Sequence, residues 1–454
     1  MIDLYLEGQN MTNTNLPVDL IRNILLSNSK EIECEYAEYY YNRKIKVAAD
    51  PRNLSPQYMI EPIIIDTSHQ MEIKMIYKSL ISILNKIFLD SEFEKTLLDS
   101  YGFGEVTKSM IRDAEKNEDM TLPLLRIDFF VDKNNKIKIC ELNGDGLSGI
   151  LSSDKINRSY QTFLDRSGLQ HFNTIQIRDR LVNAVLDGYR DSDMFCNKRP
   201  TVAVVNYQRG NYVAESEYIV DGFREMGCKA NVVDPKDLHY INDELRYKNE
   251  KIDIVYNELL IFNFDSQQEE LKALILAIKN KIVFFYGAFR SRLIDDKRFF
   301  AFLYEPQIQK LLNSDERAFI HEYIPYSHAL DAVWTHKVQT EQKKYVIKSA
   351  DSAGSAGVFV GRDYTFNEWE NIVSLADRKS TVQEFIDTKR YRKLFVDLER
   401  EPSLQEKDVR MVSGAFFFNG IFSGFYERAG TNLNINGSRE NNYCAATLFE
   451  KSSD

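Results

Sequence analysis

Cysteine is scarce in this sequence, and its spacing argues against the sites that cysteine usually builds. The 454 residues contain five cysteines, Cys34, Cys140, Cys196, Cys228 and Cys444. An odd number at such wide spacing favours reduced, buried thiols over a disulfide framework or a zinc site. The six histidines form no HExxH or HxH motif, so any bound metal is expected to have oxygen ligands.

Long apolar runs and an excess of positive charge are also lacking. No stretch approaches the roughly 18 apolar residues that cross a bilayer, and the acidic first twenty residues do not resemble a secretory signal. We therefore expect a cytoplasmic protein that does not span a membrane. A net charge of -10 disfavours extended nucleic-acid binding, because affinity for a phosphate backbone depends on clustered lysine and arginine. The dense basic run Lys389–Lys393 is interpreted as a solvated surface patch.

Hydrophobic residues make up 43% of the chain, which is enough to bury a large core in two or three lobes. Apolar spacing predicts helices over residues 18–45, 68–115 and 154–191. Residues 124–131 and 136–142 are predicted strands, and the turn residues between them predict a hairpin. We expect residues 1–195 to form a helical region with a metal- and substrate-binding β lobe.

The pattern changes after a polar, proline-closed stretch near residue 195. Strand, helix and strand alternate from Thr201, which predicts a small α/β domain with a parallel sheet over residues 196–290. Residues 291–454 are predicted to form a largely antiparallel α+β region. Its predicted strands lie at residues 319–323, 345–348, 358–361, 381–385, 414–418 and 424–427.

The hairpin carries the first group of candidate functional residues. Side chains two residues apart on a strand share a face, so Arg126 and Asp128 lie together, as do Glu141 and Asn143. Two carboxylates and an amide oxygen suit Mg²⁺, which takes few protein ligands in addition to nucleotide phosphates. Arg126 would meet a phosphate or carboxylate with its fork of donors. An exposed hairpin with a polar outer face explains the same residues.

A second group follows a strand that ends at Lys348. The next residues are small, and they include Ser352, Gly354, Ser355 and Gly357. Backbone N–H groups in such a loop can cradle a phosphate, with Lys348 as the cationic clamp. A flexible hairpin tip has the same composition.

Three further features are weak when taken alone. Lys297 lies near the start of a predicted helix and would be interpreted as a surface residue. The apolar strand Gln383, Glu384, Phe385 and Ile386 could line an adenine ring, although it could also be an edge strand. Arg428 could stabilise charge on a transferring phosphoryl group, or it could be a buried structural arginine.

Taken in order, these pieces resemble the circularly permuted ATP-grasp ligases, which include the synthetase half of glutathionylspermidine synthase. The resemblance runs from about Leu122 to Leu448. It is densest in the segments LRIDFFVDKNNKIKICELNGD, GAFRSRLIDDKRFFAFL, KYVIKSADSAGSAGVFVG and VQEFI. In ordinary ATP-grasp enzymes the metal ligands follow the ATP-binding lysines, whereas here they precede Lys297 and Lys348.

The resemblance implies an ATP-grasp fold with permuted motif order, built from α/β and α+β lobes, that uses ATP and Mg²⁺. It implies that Lys297 and Lys348 contact phosphates, that the loop closes over them, and that Gln383 to Ile386 line the adenine pocket. By the same resemblance Asp128, Glu141 and Asn143 hold magnesium. Arg126 and Arg428 are the implied catalytic residues, which contact an acyl phosphate.

The leading hypothesis is an ADP-forming ligase that activates a carboxylate as an acyl phosphate and joins it to an amine or a thiol. Its expected partners are small-molecule carboxylate and amine substrates, one of which could arrive on an acidic carrier protein that meets the basic run. The alternative is an inactive, ATP-grasp-like protein that binds nucleotide and acts in regulation. The serine and alanine residues in the loop, where the family has more glycine, motivate this alternative.

Overall fold

The structure is a computed structural model, and it describes most of the chain. The described residues are 16–27, 30, 57–114, 122–167, 169, 171–207, 213–261, 263–350, 357–376, 379–397, 403–435 and 442–451. They form a mixed α/β architecture with five separate sheets. No helix in these residues is long and apolar enough to cross a membrane.

The first part of the chain is mainly helical and contributes one β-hairpin. Its helices are α1 (Leu16–Ser27), α2 (Thr67–Leu89), α3 (Ser91–Tyr101), α4 (Glu105–Ala114), α5 (Ile150–Ser167) and α6 (Ile177–Arg190). Its strands are β1 (Gln57–Tyr58), β2 (Ile63–Ile65), β3 (Leu124–Val131), β4 (Ile137–Asn143) and β5 (Phe172–Asn173). Helix α2 begins where the Asp66 side chain accepts a hydrogen bond from the His69 N–H. Because aspartate is a favoured N-cap, this contact fixes the start of the helix.

The middle of the chain alternates strands with helices. Its strands are β6 (Thr201–Val205), β7 (Lys229–Val233), β8 (Leu238–Ile241), β9 (Glu244–Tyr247), β10 (Glu250–Lys251), β11 (Ile254–Asn257) and β12 (Phe284–Tyr286). Its helices are α7 (Val213–Glu225), α8 (Asn263–Ser266) and α9 (Gln268–Lys279). Strands β12, β11, β6 and β7 form a parallel sheet in that order. The parallel sheet predicted from Thr201 onward is confirmed.

The last part of the chain supplies two antiparallel units. Its helices are α10 (Ser291–Asp295), α11 (Arg298–Leu303), α12 (Pro306–Leu311), α13 (Ser314–Tyr323), α14 (Ala332–Thr340) and α15 (Phe366–Leu375). Its strands are β13 (Ser327–Ala329), β14 (Tyr345–Lys348), β15 (Val358–Val360), β16 (Thr381–Glu384), β17 (Tyr391–Asp397), β18 (Ser403–Phe418), β19 (Ile421–Gly430), β20 (Asn442–Ala445) and β21 (Thr447–Glu450). Strands β13, β16, β14 and β15 form a small sheet.

The largest sheet joins the two ends of the chain. Its strand order is β1-β20-β19-β18-β3-β4, with β17 also paired to β18. The division into 1–195, 196–290 and 291–454 stays a prediction, but this sheet takes strands from the first and third of those segments. The β3/β4 hairpin thereby lies beside β18, whose apolar residues such as Ala415 and Phe417 are fully buried.

One local prediction was wrong. Residues Phe319 to Tyr323 were predicted as a strand but end helix α13, because Asn313 and Glu316 form a reciprocal capping box that starts a helix there. At Gln383 the alternative of an edge strand is excluded, since β16 lies between β13 and β14.

Two other predictions are only partly confirmed. The helix predicted over residues 18–45 is confirmed as far as Ser27, and residues 31–45 lie outside the described residues. The basic run is not wholly solvated, since Lys393 is buried and its Nζ lies 2.7 Å from Glu61 Oε1.

Candidate functional site

The candidate site is built on the β3/β4 hairpin. Asp128 pairs with Glu141 across the hairpin and with Gly414 of β18 on its other side, while Arg126 pairs with Asn143. Gly414 leaves room for the charged side chains, because a Cβ at this position would lie 2.8 Å from both Arg126 Cδ and Asp128 Oδ1. Because Gly414 has no side chain, the Asp128 carboxylate and the Arg126 side chain can pack closely against β18 at this point.

Asp128 lies between two guanidinium groups. Its Oδ1 accepts a 2.6 Å hydrogen bond from Arg126 Nε, and its Oδ2 accepts bonds from Arg126 Nη2 at 3.0 Å and from Arg428 Nη2 at 2.8 Å. The carboxylate is 1% exposed. Burial alone would raise the pKa of Asp128, but the charges and hydrogen bonds of the two arginines hold that pKa below its usual value. Asp128 is therefore a buried carboxylate that stays ionised.

The two arginines differ in their remaining donors. Arg126 Nη1 donates to the Ser148 carbonyl at 2.8 Å, so all three nitrogens of Arg126 are used. Arg428 Nε is buried without a hydrogen-bond partner among the described residues. Burial opposes the charge of Arg428, but Asp128 outweighs this effect and raises its pKa. Arg428 therefore has one guanidinium nitrogen, Nε, that makes no hydrogen bond to the described residues, whereas every nitrogen of Arg126 makes at least one.

The two predicted lysines both reach strand β4. Lys297 Nζ lies 3.0 Å from Glu141 Oε1, and Lys348 Nζ donates a 2.8 Å bond to the Cys140 carbonyl. Burial lowers the pKa of Lys348, and the nearby Lys297 lowers it further, against the opposing effects of Cys140 and Glu141. The structure therefore brings together lysines that are 51 positions apart in the printed sequence (348 minus 297).

The residues predicted as metal ligands have unequal surroundings. Glu141 is partly exposed, with one carboxylate oxygen on Lys297. The Asn143 amide nitrogen is buried and has no partner among the described residues. Both carboxylate oxygens of Asp128 already accept hydrogen bonds from guanidinium groups. Within the part of the chain that the structure describes, no group of three or more His, Cys, Asp or Glu side chains could hold a metal ion.

Glu141 and Asn143 nevertheless fit a magnesium site that depends on nucleotide phosphates. Magnesium is commonly bound through one or two carboxylates plus phosphate oxygens and water. Glu141 supplies a carboxylate beside a lysine, and Asn143 lies two residues away on the same strand. The unpartnered, buried amide nitrogen of Asn143 is a hydrogen-bond donor, so it suits an acceptor such as a phosphate oxygen and not the metal ion itself.

Sequence reasoning assigned no role to Asp295, which lies two residues before Lys297 in the segment GAFRSRLIDDKRFFAFL. Asp295 Oδ1 accepts a 2.6 Å hydrogen bond from the Gly144 N–H, just beyond Asn143. Burial raises the pKa of Asp295 well above its usual value, and the charge of Asp145 raises it further. The sequence did show consecutive acidic residues at 295 and 296, but not that one of them reaches the hairpin.

The predicted adenine segment is held firmly by its neighbours. Gln383 Nε2 donates to Ser327 Oγ at 3.0 Å, and the N–H groups of Glu384 and Phe385 donate to the Tyr326 and Lys344 carbonyls at 2.8 and 2.7 Å. These two N–H groups are already used, so a purine would have to contact the segment through its carbonyls, through Ile386 or through side chains. An adjacent cavity of about 320 Å³ is lined by Tyr326, Trp334, Lys337, Lys344, Tyr345, Arg362, Glu384 and Phe385.

Most of the predicted phosphate loop falls outside the described residues. Ser352, Gly354 and Ser355 belong to the segment 351–356, which the structure does not describe. Gly357 is described, and its carbonyl accepts a 2.9 Å hydrogen bond from the Ser349 N–H. This bond joins the two ends of the loop next to Lys348, so the loop starts and ends beside the candidate site.

The chain resembles solved structures in its fold, but it has no match among family models or curated proteins. Two solved enzymes resemble parts of it at a TM-score of 0.29, too low to argue from. D-alanyl-alanine synthetase A from Vibrio cholerae is 13% identical and matches over 48% of this chain and 68% of its own. The ATP-grasp ligase PsnB in complex with a minimal precursor is 12% identical and matches over 53% and 92%.

A third solved structure matches almost end to end. The apoform of a glutathione synthetase-like effector from Globodera pallida superposes with a TM-score of 0.57 at 12% identity. The match covers 94% of this chain and 97% of that chain. At this identity the likeness concerns the fold alone. The chain therefore has a mixed α/β fold similar to that of this glutathione synthetase-like effector.

Proposed function

We propose that the protein is an ATP-dependent ligase that activates a carboxylate as an acyl phosphate and joins it to an amine or a thiol. The observation that carries the proposal is the convergence on one β-hairpin of Lys297, Lys348 and Arg428, which come from three distant parts of the chain. A site with several cations beside Glu141 and Asn143 suits a bound polyphosphate. The ATP-grasp type of fold is consistent with this use.

The proposed reaction has two steps, each balanced in atoms and charge. A carboxylate oxygen of the substrate attacks the γ-phosphorus of ATP, the bond from that phosphorus to the bridging oxygen breaks, and ADP leaves. The amine nitrogen, or the thiol sulfur, then attacks the acyl carbon. The carbon–oxygen bond to phosphate breaks, phosphate leaves, and the nucleophile loses its proton. Positioning and charge neutralisation are the main tasks left to the protein.

The described residues divide these tasks. Lys297 and Lys348 neutralise phosphate charge, and burial lowers the pKa of Lys348. Arg428 has an unpartnered Nε with which to contact the reacting carboxylate or phosphoryl group. Asp128 and Arg126 position Arg428, since Asp128 bonds both guanidinium groups. This assignment makes Asp128 a positioning residue.

Glu141 and Asn143 are the residues that we propose for holding Mg²⁺, which would supply further neutralisation of phosphate charge when bound. The loop from Ser349 to Gly357, with Ser352, Gly354 and Ser355, would close over the phosphates. The segment from Gln383 to Ile386 would form one wall for the adenine ring. The order of these residues, with Glu141 before Lys297 and Lys348, supports a permuted ATP-grasp ligase. Small substrates and a cytoplasmic location remain part of the proposal.

Calorimetric titration with Mg²⁺ and a non-hydrolysable ATP analogue tests the site without knowledge of the substrate. The unmodified protein is compared with Lys348→Ala and with a control, Lys229→Ala. Lys229 is an exposed lysine in the middle of the chain, paired with Glu250. We expect the analogue to bind the unmodified protein and the control equally, and binding to Lys348→Ala to weaken by at least about a hundredfold.

Carboxylates are then screened for ADP release, with hydroxylamine as the trapping amine. Formation of a hydroxamate together with ADP supports the ligase. Tight nucleotide binding without ADP release from any carboxylate would instead favour the inactive regulatory protein. Absence of nucleotide binding to the unmodified protein contradicts both.

A further inference from the structure

A second polar cavity lies along the same large sheet as the candidate site. Its volume is about 580 Å³, and it is lined by Arg362, Asp363, Asp387, Arg390, Arg410, Thr431, Asn432, Leu433 and Asn434. None of the residues predicted for the ligase site lines it. The cavity gathers three arginines from three separate segments, and its two aspartates leave an excess of positive charge.

Arg410 is the most constrained of the three arginines. It lies on β18 opposite Gly430, two pairs along the ladder from the pair formed by Val412 and Arg428, and alternation places Arg410 on the same sheet face as Arg428. Arg410 is 9% exposed, and its Nε is buried without a hydrogen-bond partner among the described residues. Its Nη1 donates a long 3.5 Å bond to the Thr431 carbonyl.

No carboxylate in the described part of the chain lies within ion-pair distance of Arg410. Burial lowers the pKa of Arg410, the charges of Arg390 and Arg362 lower it further, and Asp387 and Asp363 only partly oppose them. A buried cation whose neighbouring cations are not fully balanced by carboxylates is unfavourable unless an anion joins it. The local charge therefore points to an anionic ligand.

The other two arginines flank Arg410 in different ways. Arg362 Nε donates to the Lys343 carbonyl at 3.0 Å, and its guanidinium lies 4.1 Å from the centre of the Phe385 ring, so its position is fixed. Arg362 also lines the smaller cavity next to Phe385. Arg390 is exposed and belongs to the basic run. Its neighbours in that run are tied to protein groups, Arg392 to Glu406 and Lys393 to Glu61.

We propose that the cavity bounded by Arg362, Arg390 and Arg410 is a binding site for a phosphate group. Guanidinium forks match phosphate oxygens in geometry as well as in charge. The aspartate and asparagine side chains in the wall suit hydroxyl groups next to the phosphate, and the cavity is larger than a phosphate alone requires. The phosphate belongs either to the nucleotide that the proposed function places in the adjoining cavity, which shares Arg362, or to a separate phosphorylated molecule.

Calorimetric titration with inorganic pyrophosphate tests the site. The titration uses Lys348→Ala as the parent protein, in order to weaken pyrophosphate binding at the proposed ligase site. Arg390→Gln and Arg410→Gln are made in this parent, together with a control, Arg392→Gln. Arg390 and Arg392 are both exposed arginines of one short segment, and only Arg390 lines the cavity.

We expect Arg390→Gln to weaken pyrophosphate binding by about tenfold or more, as loss of one charge-assisted contact predicts, and Arg392→Gln to leave it unchanged. Because Arg390 is exposed, its variant decides the test even if the buried Arg410→Gln variant fails to fold. Absence of pyrophosphate binding to the parent, or equal weakening in Arg390→Gln and Arg392→Gln, overturns the proposal.

The source of the phosphate follows from a competition experiment with the unmodified protein. If the ATP analogue displaces pyrophosphate and its own binding weakens in Arg390→Gln, the cavity holds a phosphate of the nucleotide. If pyrophosphate still binds when the analogue is saturating, and Arg390→Gln weakens it, the cavity holds a separate ligand. A different measurement tests the ligase proposal. That proposal fails if the ATP analogue does not bind to the protein with Lys348 intact.

Discussion

Arg428 and Asp128 are 300 positions apart in the sequence, yet Arg428 Nη2 donates a 2.8 Å hydrogen bond to Asp128 Oδ2. Both side chains are nearly inaccessible to solvent. The bond crosses from β19 to β3 over β18, where Gly414 leaves the space between them open. This contact ties the last sheet strands to the hairpin that carries Glu141 and Asn143. It is therefore a contact on which both stability and the proposed chemistry depend.

Replacement of Asp128 by asparagine should destabilise the protein and impair turnover. Asp128→Asn leaves the buried guanidinium groups of Arg126 and Arg428 next to each other without a counter-charge. Breaking a buried pair in this way costs about 3–5 kcal/mol, which urea unfolding would measure. Misplacement of Arg428 should also lower turnover by about a hundredfold. An unfolding free energy equal to that of the exposed control Asp408→Asn would contradict the role of Asp128.

Gly414→Ala tests the same geometry without changing a charge. The added methyl group would lie 2.8 Å from both Arg126 Cδ and Asp128 Oδ1, so the bidentate pair must shift. We expect a loss of stability of about 1–3 kcal/mol, the usual cost of overpacking, and weaker binding of the ATP analogue. Asp408→Ala is the control for the strand itself, since Asp408 is an exposed residue of the same strand. Equal stability of Gly414→Ala and Asp408→Ala would show that the site tolerates the methyl group.

The sequence predicted the local parts of the site. The β3/β4 hairpin could be predicted because alternation and a four-residue turn lie within about twenty residues. The pairing of Asp128 with Arg126 is also local, because residues two apart on a strand share a face. The parallel sheet in the middle of the chain was predictable for a similar reason, since its strands and helices alternate regularly.

The parts that were not predictable depend on distant segments. Nothing near Asp128 indicates that Arg428 will occupy its second oxygen, since β18 must first lie between β3 and β19. The cavity around Arg410 forms only when the segments near Arg362, Arg390 and Thr431 meet. Residues Phe319 to Tyr323 show a different failure, because a short apolar run fits both a strand and a buried helix, and the capping residues outside the run decide between them.

The role of Glu141 can be separated from that of Lys297 by measuring metal dependence. Glu141→Gln removes a proposed magnesium ligand and the carboxylate that lies 3.0 Å from Lys297 Nζ. The freed lysine should bind phosphate at least as well as before. We expect unchanged or tighter binding of the ATP analogue without metal, and loss of most of the gain that Mg²⁺ gives the unmodified protein.

The control for this measurement is Glu322→Gln, which changes an exposed glutamate near the same hairpin. Titrations with and without Mg²⁺ should leave the metal-dependent gain of this control intact. If Glu141→Gln keeps the same gain as Glu322→Gln, Glu141 does not hold the metal.

The pH dependence of stability should contain a contribution from Glu258. Burial raises the pKa of Glu258 to about 8, and the neighbouring charge of Glu215 adds to this effect, although Ser216 and Asn206 donate hydrogen bonds to its carboxylate. The unfolded chain releases this proton near the ordinary glutamate pKa of about 4.3. The folded protein therefore binds one more proton than the unfolded chain between these two values. Its stability falls as the pH rises through that interval.

Glu258→Gln removes this titration while keeping an oxygen that accepts hydrogen bonds. We expect the melting temperature of the unmodified protein to fall more steeply than that of Glu258→Gln between about pH 5 and pH 8. The exposed variant Glu217→Gln, on helix α7, should follow the unmodified protein. If the melting temperatures of the unmodified protein and Glu258→Gln change equally with pH over this range, Glu258 is already ionised in the folded state. The hydrogen bonds from Ser216 and Asn206 would then outweigh the effect of burial.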